Sequence, residues 1–220
     1  MSTPDPAGIV EFLRLAARLK DVRRQGWLDR GVPEPESSAG HSWAMALMAW
    51  LLALERADLD AGRVLLIALV HDLPEALAGD ATPFDRHRDE TGRIAETLFH
   101  DAPVYDERET RAKHARERAA LDEMTTGLPQ ALRAQINAAW EEYNAGQSAE
   151  ARFVRQVDKL ETLLQAELYR ERHPEIVIDS FRAGADRDVL DPELRAILAA
   201  IRAISDGQST SPDDDPERDA

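Results

Sequence analysis

Apolar residues recur at helical spacing through most of this 220-residue chain, and no run alternates convincingly with a period of two. In residues 149–171, for example, five apolar side chains fall on one helix face: Phe153, Val157, Leu160, Leu164 and Leu168. Because a half-buried strand needs alternation between apolar and polar residues, the pattern favours helices throughout. We therefore predict an all-α fold, a compact helical bundle.

The same spacing, read together with capping and turn residues, predicts the positions of the helices. They span residues 9–22, 41–56, 61–72, 74–79, 107–124, 129–143, 149–171 and 191–204, with a short helix around 92–99. In residues 107–124 we expect Ala115, Ala119 and Leu121 to be buried. The connection 23–40 is rich in glycine, proline and serine, and a loop of that length in a compact domain is usually functional or mobile.

Composition supports one packed domain. Hydrophobic residues make up 43% of the chain and charged residues 31%, which is ordinary for a soluble globular protein. We assign residues 1–205 to this domain and predict that the polar, acidic residues 206–220 form a disordered tail. The net charge of −15 argues against binding of a nucleic-acid polymer, whose phosphates the surface would repel.

Two absences in the sequence limit its chemistry and its location. The chain has no cysteine, so any metal site must use nitrogen and oxygen ligands. The longest apolar run, Val64 to Val70, is too short to cross a membrane, and residues 1–8 do not resemble a signal peptide. These features predict a cytoplasmic protein that does not span a membrane.

The adjacent pair His71-Asp72 follows the most apolar segment of the chain. Taken alone, such a pair is more often an ordinary helix end than a metal site. However, His41 begins another apolar helix, and Asp158 interrupts the apolar face of a third. Because helical bundles commonly build metal sites from facing helices, we expect these four side chains to converge on one ion.

This N₂O₂ ligand set suits Mn²⁺, Fe²⁺, Co²⁺ or Zn²⁺ better than Ca²⁺. Four protein ligands leave room for water and a phosphate oxygen, and such an ion lowers the pKa of its water towards neutrality. Asp72 could also orient the attacking water. Glu75, one helical turn after His71, is placed to transfer a proton. Asp80 follows closely, after a glycine that permits a sharp turn.

These segments resemble the HD-domain metal-dependent phosphohydrolases, and in particular their 5′-deoxynucleotidase-like branch. The matching segments, in the family's order, are 24–27, 35–42, 68–80, 140–143 and 153–160. One His-Asp pair would be weak support, but the ordered set H…HD…E…GD…D is specific. The resemblance covers about residues 9 to 204.

The resemblance implies hydrolysis of a small phosphorylated nucleotide, a deoxynucleoside 5′-monophosphate, by a homodimer that holds one divalent metal per site. His41, His71, Asp72 and Asp158 match the metal ligands. Glu75 matches a residue assigned to proton transfer, and Asp80 matches a second acidic residue of the active site. Arg24 and Trp27 lie where the family has a phosphate-binding arginine and a tryptophan that packs on the sugar; Arg30, on the same loop, is an alternative phosphate ligand.

One position departs from the family pattern. The residue before the first metal histidine is usually acidic in relatives, whereas here it is Gly40. Metal-binding histidines usually need a hydrogen-bond partner for their other ring nitrogen. We therefore expect the partner of His41 to be missing or supplied from elsewhere. Lys159 and Glu161 flank Asp158, and a solvated position is favoured for Lys159.

Two alternatives stay open. The same metal site could act on another phosphorylated nucleotide, although small size and the lack of a recognisable basic polyphosphate pocket disfavour triphosphates. The chain could instead be a non-catalytic, dimeric regulatory protein with a vestigial metal site. The segment 140–143 is interpreted as packing plus a solvated acidic face, and the four remaining histidines as surface residues.

Overall fold

A computed structural model of the chain describes residues 6–205. Ten α-helices lie within this range: α1 Pro6–Ala16, α2 Gln25–Leu28, α3 Ser38–Ala53, α4 Ala61–Val70, α5 Glu75–Ala78, α6 Glu107–Thr125, α7 Gln130–Ala145, α8 Ala149–Arg172, α9 Asp179–Asp188 and α10 Pro192–Ser205. The only extended pairing in the same range is one isolated bridge between Arg23 and Ser37. The all-α prediction is confirmed, whereas the tail predicted for 206–220 lies outside the described residues.

The centre of the bundle is formed by α3, α4 and α8. Helix α3 packs along α4, and α8 contacts both, together with α7, α9 and α10. The side chains between them are fully buried, with Met45 from α3, Ile67 from α4 and Leu160 from α8 at the core. Burying a side chain of this size contributes about 1.5–3 kcal/mol. None of the helices in 6–205 is long and apolar enough to cross a bilayer.

Capping residues fix where the central helices begin. Ser37 accepts a hydrogen bond from the Gly40 amide at 3.1 Å, so α3 begins three residues earlier than predicted. Asp60 accepts one from the Arg63 amide at 3.0 Å, which confirms the predicted start of α4. Because α3 starts at Ser38, Ser38 and His41 lie one turn apart on the same helix face.

The connection 23–40 is folded rather than open. It contains the short helix α2 and is closed at its base by a hydrogen bond from the Ser38 amide to the Val22 carbonyl at 2.8 Å. Trp27 packs against Tyr169 and Phe181, which anchors the segment to α8 and α9. The connection therefore holds Arg24 and Trp27 at a fixed position beside the bundle.

Helix α9 is absent from the sequence-based prediction. Its ten residues include one large apolar side chain, Phe181, so they show no helical apolar pattern. The helix is held by tertiary contacts instead, among them an ion pair between Arg182 and the buried Glu167 at 2.7 Å. Sequence periodicity cannot detect a helix of this kind.

The prediction for α6 is correct for Leu121, which is buried, and wrong for Ala115 and Ala119. Ala115 and Ala119 are exposed, while Glu117, Ala120 and Leu121 are buried. The helix can turn a glutamate inwards because Lys113, four residues earlier, forms an ion pair with Glu117. This rotation brings a charged pair from α6 to the cavity described below.

A close backbone approach attaches α1 to the loop between α6 and α7. A methyl group at Gly8 would lie 1.8 Å from the Gly127 carbonyl oxygen, whereas one at Gly184 in α9 would meet nothing closer than 3.9 Å. We expect Gly8→Ala to lower the free energy of unfolding by about 1–3 kcal/mol, because backbone atoms must move apart. Gly184→Ala should stabilise α9 slightly through helix propensity. Urea denaturation of both variants tests this, and equal effects would contradict it.

Candidate metal centre

The structure brings the four predicted ligands together. His41 lies on α3, His71 and Asp72 form the turn after α4, and Asp158 lies on α8. The Nε2 atom of His41 is 3.1 Å from Asp158 Oδ1 and 3.8 Å from Asp72 Oδ2. His71 Nε2 is 3.1 Å from Asp72 Oδ2. Ligand atoms of His41, His71 and Asp72 all lie within 4.8 Å of one another, as a shared ion requires.

The two histidine nitrogens that face this point lack hydrogen bonds. Nε2 of His41 and Nε2 of His71 are both buried and both unpartnered, although carboxylate oxygens lie 3.1 Å away. Burying a polar atom without a partner is costly. The other ring nitrogen of His71 contacts the Ala68 carbonyl oxygen at 2.8 Å, which leaves Nε2 directed at Asp72. Two imidazoles and two carboxylates arranged in this way fit a divalent transition metal.

Charge around the site favours an added cation. Burial alone would raise the pKa of Asp72, but His71 and Arg24 hold it well below its usual range. Burial also opposes ionisation of Asp158, whose pKa Lys159 and His41 hold well below its usual value. Burial and Arg24 act against a protonated His41, yet the carboxylates of Asp158 and Glu161 raise its pKa to about 10. The centre is therefore an anionic pocket that stabilises positive charge.

Glu75 is the first residue of α5 and is 2% exposed. Its Oε2 accepts a hydrogen bond from Ser38 Oγ at 2.7 Å. Burial, together with the charges of Asp72 and Asp80, raises the pKa of Glu75 well above its usual value. Asp80 lies just beyond the turn, where it accepts a hydrogen bond from the Gln25 amide at 2.6 Å. The structure thus places a carboxyl group with a raised pKa beside the predicted ligand Asp72.

The three predicted substrate-binding residues have different surroundings. Arg24 reaches the centre and donates from Nη1 to Asp72 Oδ2 at 3.0 Å. Trp27 is 1% exposed, with its ring against Tyr169 and Phe181 and its Nε1 donating to Glu36 at 3.0 Å. Trp27 therefore lies in the cavity wall instead of presenting an open face.

Arg30 is held by the protein itself. Its Nε donates to the Val177 carbonyl at 2.9 Å, its Nη1 to the Gly26 carbonyl at 2.8 Å and its Nη2 to Ser180 Oγ at 2.6 Å. The guanidinium also lies over the ring of Phe99, 4.1 Å from its centroid. With all three nitrogens engaged, Arg30 joins the 23–40 connection to α9 and has fewer donors for a ligand than Arg24.

Several residues at the centre were not assigned from the sequence. Tyr143, interpreted as part of a packing segment, donates from its hydroxyl to Asp158 Oδ2 at 3.4 Å and lies beside the His71 ring. The packing interpretation holds for its neighbour Trp140, which is buried. Lys159 is partly exposed but also contacts Asp158 at 2.8 Å. Glu161 is buried against His41, and its position one turn after Asp158 was the available signal.

A cavity of about 830 Å³ opens over the centre. Seven cationic side chains line it: Arg24, Arg30, Lys113, Arg152, Arg155, Lys159 and Arg187. Arg152, Arg155 and Lys159 share one face of α8, whereas the other four come from other parts of the chain. Six carboxyl groups line the same cavity: Asp72, Glu75, Asp80, Glu117, Asp158 and Asp188. The cavity therefore has mixed charge, and the absence of a basic polyphosphate pocket stays a prediction.

Comparison with known proteins identifies the class to which this fold and site belong. The family model described as "HD domain" matches residues 16–191. The chain therefore belongs to the HD domain family, as the ordered motifs predicted. Solved structures agree: a "predicted metal-dependent phosphohydrolase" from Magnetospirillum magnetotacticum has a TM-score of 0.62 and 27% identity, over 90% of this chain and 91% of that chain.

Within this family the chain is similar to proteins named 5′-deoxynucleotidase, which confirms the predicted branch. The human 5′-deoxynucleotidase HDDC2 is 37% identical over 197 residues, or 89% of this chain and 85% of that protein. The 5′-deoxynucleotidase YBR242W of Saccharomyces cerevisiae is 31% identical over 177 residues, or 79% of this chain and 65% of that protein. The likeness extends over most of the described domain.

The raised pKa of Glu75 predicts a pH-dependent stability. Glu75 contributes most to stability when it is neutral, at pH values below its unfolded-state pKa. That contribution is lost as the pH rises through the folded-state pKa, because burial then opposes the charged carboxylate. Glu75→Gln stays neutral and can still accept from Ser38. In protein treated with a chelator, we expect the variant to have a higher melting temperature than the wild type at pH 8. This difference in melting temperature should shrink towards pH 5.

Thermal melts at both pH values measure this difference. Each kcal/mol gained should raise the melting temperature by roughly 2–4 °C for a chain of this size. Glu96→Gln, at an exposed position, is the matched control and should leave both melts unchanged. A difference between Glu75→Gln and wild type that is the same at pH 5 and pH 8 would contradict the burial argument.

Proposed function

We propose that this protein is a metal-dependent phosphomonoesterase that hydrolyses deoxynucleoside 5′-monophosphates to a deoxynucleoside and phosphate. The observation that carries the proposal is the pair of buried, unpartnered Nε2 atoms of His41 and His71 directed at two carboxylates. The substrate class is supported by relatives named 5′-deoxynucleotidase in animals and fungi. A cytoplasmic location stays a prediction from the sequence.

In this proposal His41, His71, Asp72 and Asp158 hold one divalent ion, chosen from Mn²⁺, Co²⁺, Fe²⁺ and Zn²⁺. When bound, the ion supplies a Lewis acid that polarises a phosphoryl oxygen and offsets the charge of the phosphate. The low pKa values of Asp72 and Asp158 keep both carboxylates ionised at neutral pH, ready to bind a cation. Tyr143 adds a hydrogen bond that orients Asp158.

Arg24 is the proposed phosphate ligand. Its guanidinium already reaches Asp72 at 3.0 Å and lines the cavity, so a phosphate seated at the centre meets its remaining donors. Trp27 contributes the shape of the wall beside the sugar, because its ring is buried against Tyr169 and Phe181. Arg30 secures that wall to α9 through Ser180.

Glu75, Asp80 and Asp72 are the proposed catalytic carboxyl groups. Burial and neighbouring charge raise the pKa of Glu75 and so favour its protonated form, which can give its proton to the 5′-oxygen of the departing nucleoside. Asp80 and Asp72 then favour return of a proton to Glu75, since they repel its ionised form. Asp72 also accepts a hydrogen bond from the attacking water and orients it.

A second candidate is hydrolysis of a more highly charged nucleotide by the same centre. Within residues 6–205, Arg152 and Arg155 line the cavity without a carboxylate partner inside it, so they are available to additional phosphate groups. A deoxynucleoside triphosphate and a cyclic dinucleotide therefore belong in the same assay as the monophosphate. If the enzyme hydrolyses either of them faster than the monophosphate, the proposed substrate class is wrong. The proposal of the metal centre would not be affected.

Phosphate release from dAMP or dUMP with Mn²⁺ or Co²⁺ tests the proposal. We expect activity in the wild type and loss of both bound metal and activity in His71→Ala. Glu75→Gln should keep the metal but lower kcat by about 10²–10⁴, the usual contribution of a general acid. His87→Ala, at an exposed histidine, is the control and should match the wild type. No release from any nucleotide across a metal screen would refute the enzymatic function.

We further propose that two copies of the chain associate through the apolar face of α3. This face is formed by Trp43, Leu47, Trp50, Leu51 and the adjoining Leu54, all exposed. Trp43 is 67% exposed, which is unusual for a tryptophan. Contiguous exposed apolar residues of this kind mark interaction sites.

Charge argues that the partner is a second copy. Helix α3 carries no Asp, Glu, Lys or Arg between Ser38 and Ala53, although 31% of the chain is charged. Two chains with a net charge of −15 each repel one another except where they meet at an uncharged surface. A two-fold axis through this face would pair each copy of α3 with the other.

Trp43→Glu combined with Leu51→Glu should convert the dimer into a monomer. Charges introduced on both copies would be buried without partners, which costs several kcal/mol. Sedimentation velocity measures the change from two 24.5-kDa chains to one. Leu190→Glu, at another exposed apolar position outside α3, should leave the mass unchanged. A wild-type protein that sediments as a monomer would exclude this interface.

A further inference from the structure

Glu161 is a buried carboxylate that the proposed mechanism does not use. It is 3% exposed and lies on α8, one turn after the ligand Asp158. Its Oε2 is 2.5 Å from Nδ1 of His41. One helix therefore provides a ligand of the metal centre and a hydrogen-bond partner for a second ligand.

This contact determines which nitrogen of His41 can bind a cation. An imidazole ligates through a nitrogen that carries no proton, and a carboxylate at the opposite nitrogen keeps the proton there. Glu161 at Nδ1 thus leaves Nε2 free to face Asp158 at 3.1 Å. For His71 the same task falls to the Ala68 carbonyl in its own helix. His41 differs because its partner is a side chain from another helix.

The position of Gly40 explains why this partner is needed. Gly40 has no side chain and so offers His41 no carboxylate. The nearby Glu36 accepts from Trp27 Nε1 through Oε1 at 3.0 Å, whereas the hydrogen bond of His41 Nδ1 is made to Glu161. Glu161 is left as the group that holds His41.

We propose that Glu161 is a positioning residue that fixes the orientation and the Nδ1–H tautomer of His41, and thereby sets the metal affinity of the centre. The inference rests on the proposed metal centre and adds a residue to it. Removing such a partner typically weakens metal binding by about 10–100-fold. Glutamine keeps an oxygen that can accept from Nδ1–H but removes the negative charge, whereas alanine removes both.

Two measurements on the full chain test this role. Chelator competition with Co²⁺ and Zn²⁺ gives the metal affinity, and ¹⁵N–¹H spectra of the Zn²⁺-loaded protein report the Nδ1–H proton of His41. We expect Glu161→Ala to bind roughly 10–100-fold more weakly and to lose the downfield, slowly exchanging Nδ1–H signal. Glu161→Gln should keep the signal and show an intermediate affinity. If Glu161→Ala fails to fold, the affinity of Glu161→Gln decides the question.

Glu167→Gln is the matched control. Glu167 is a second buried glutamate of α8, 1% exposed and paired with Arg182 at 2.7 Å, away from His41. Its substitution removes a buried charge from the same helix, so stability should fall while metal affinity stays within twofold of wild type.

Three other outcomes would each decide a different point. If the wild type binds no divalent ion, the proposed metal centre itself fails. If the wild type binds one equivalent and both Glu161 variants match it, only the role of Glu161 is refuted. If the wild type binds two equivalents and Glu161→Ala binds one, Glu161 is itself a ligand, together with Glu36 and His41, and the positioning role is also refuted.

Discussion

Carboxylate groups crowd the point where α3, α4 and α8 meet, and their mutual repulsion has to be offset by positive charge or by protons. Asp72 is compensated by Arg24, Asp158 by Lys159, and Glu161 by His41. Glu75 has no cation at hydrogen-bond distance among the described residues, and its raised pKa favours the protonated form instead. A divalent ion at the two free imidazole nitrogens would complete this balance. The fold therefore offsets each of these four negative charges, either with a cationic or imidazole partner or with a raised pKa.

The helices that build the centre support one another through its polar groups. Helix α3 supplies His41 as a proposed ligand and Ser38 as the partner of Glu75 on α5. Helix α8 supplies Asp158 as a proposed ligand and Glu161 as the partner of His41. Each of these long helices therefore carries one proposed metal ligand and one group that orients a residue of another helix. A small rotation of either helix would misplace two functions together.

Much of this arrangement was accessible from the sequence. Apolar periodicity predicted most of the helices because it is a local signal, and the ordered motifs predicted that His41, His71, Asp72 and Asp158 come together. The start of α3 lies three residues before the predicted one, because Ser37 caps the helix. Glu161 could have been assigned from its spacing to Asp158 on one helix face.

The rest depended on tertiary contacts. Helix α9 is stabilised by Phe181 and by the ion pair of Arg182 with Glu167, neither of which leaves a periodic signal. Helix α6 turns Glu117 inwards because that side chain pairs with Lys113. Alanines at helical spacing therefore did not identify the buried face, and Ala115 and Ala119 are exposed. The cations of the cavity come together only when distant segments pack. The burial of Trp27 against Tyr169 and Phe181 likewise could not be predicted from a motif.

The placement of seven cationic side chains inside the cavity of an acidic protein has a kinetic consequence. A nucleotide approaching from solution first meets the repulsive long-range field of a molecule with a net charge of −15, and it meets these cations only inside the cavity. Dissolved salt screens the long-range part over about 8–10 Å at 0.10–0.15 M, while contacts inside the cavity are screened less. Moderate ionic strength therefore speeds the encounter, whereas the usual electrostatically steered enzyme is slowed by salt.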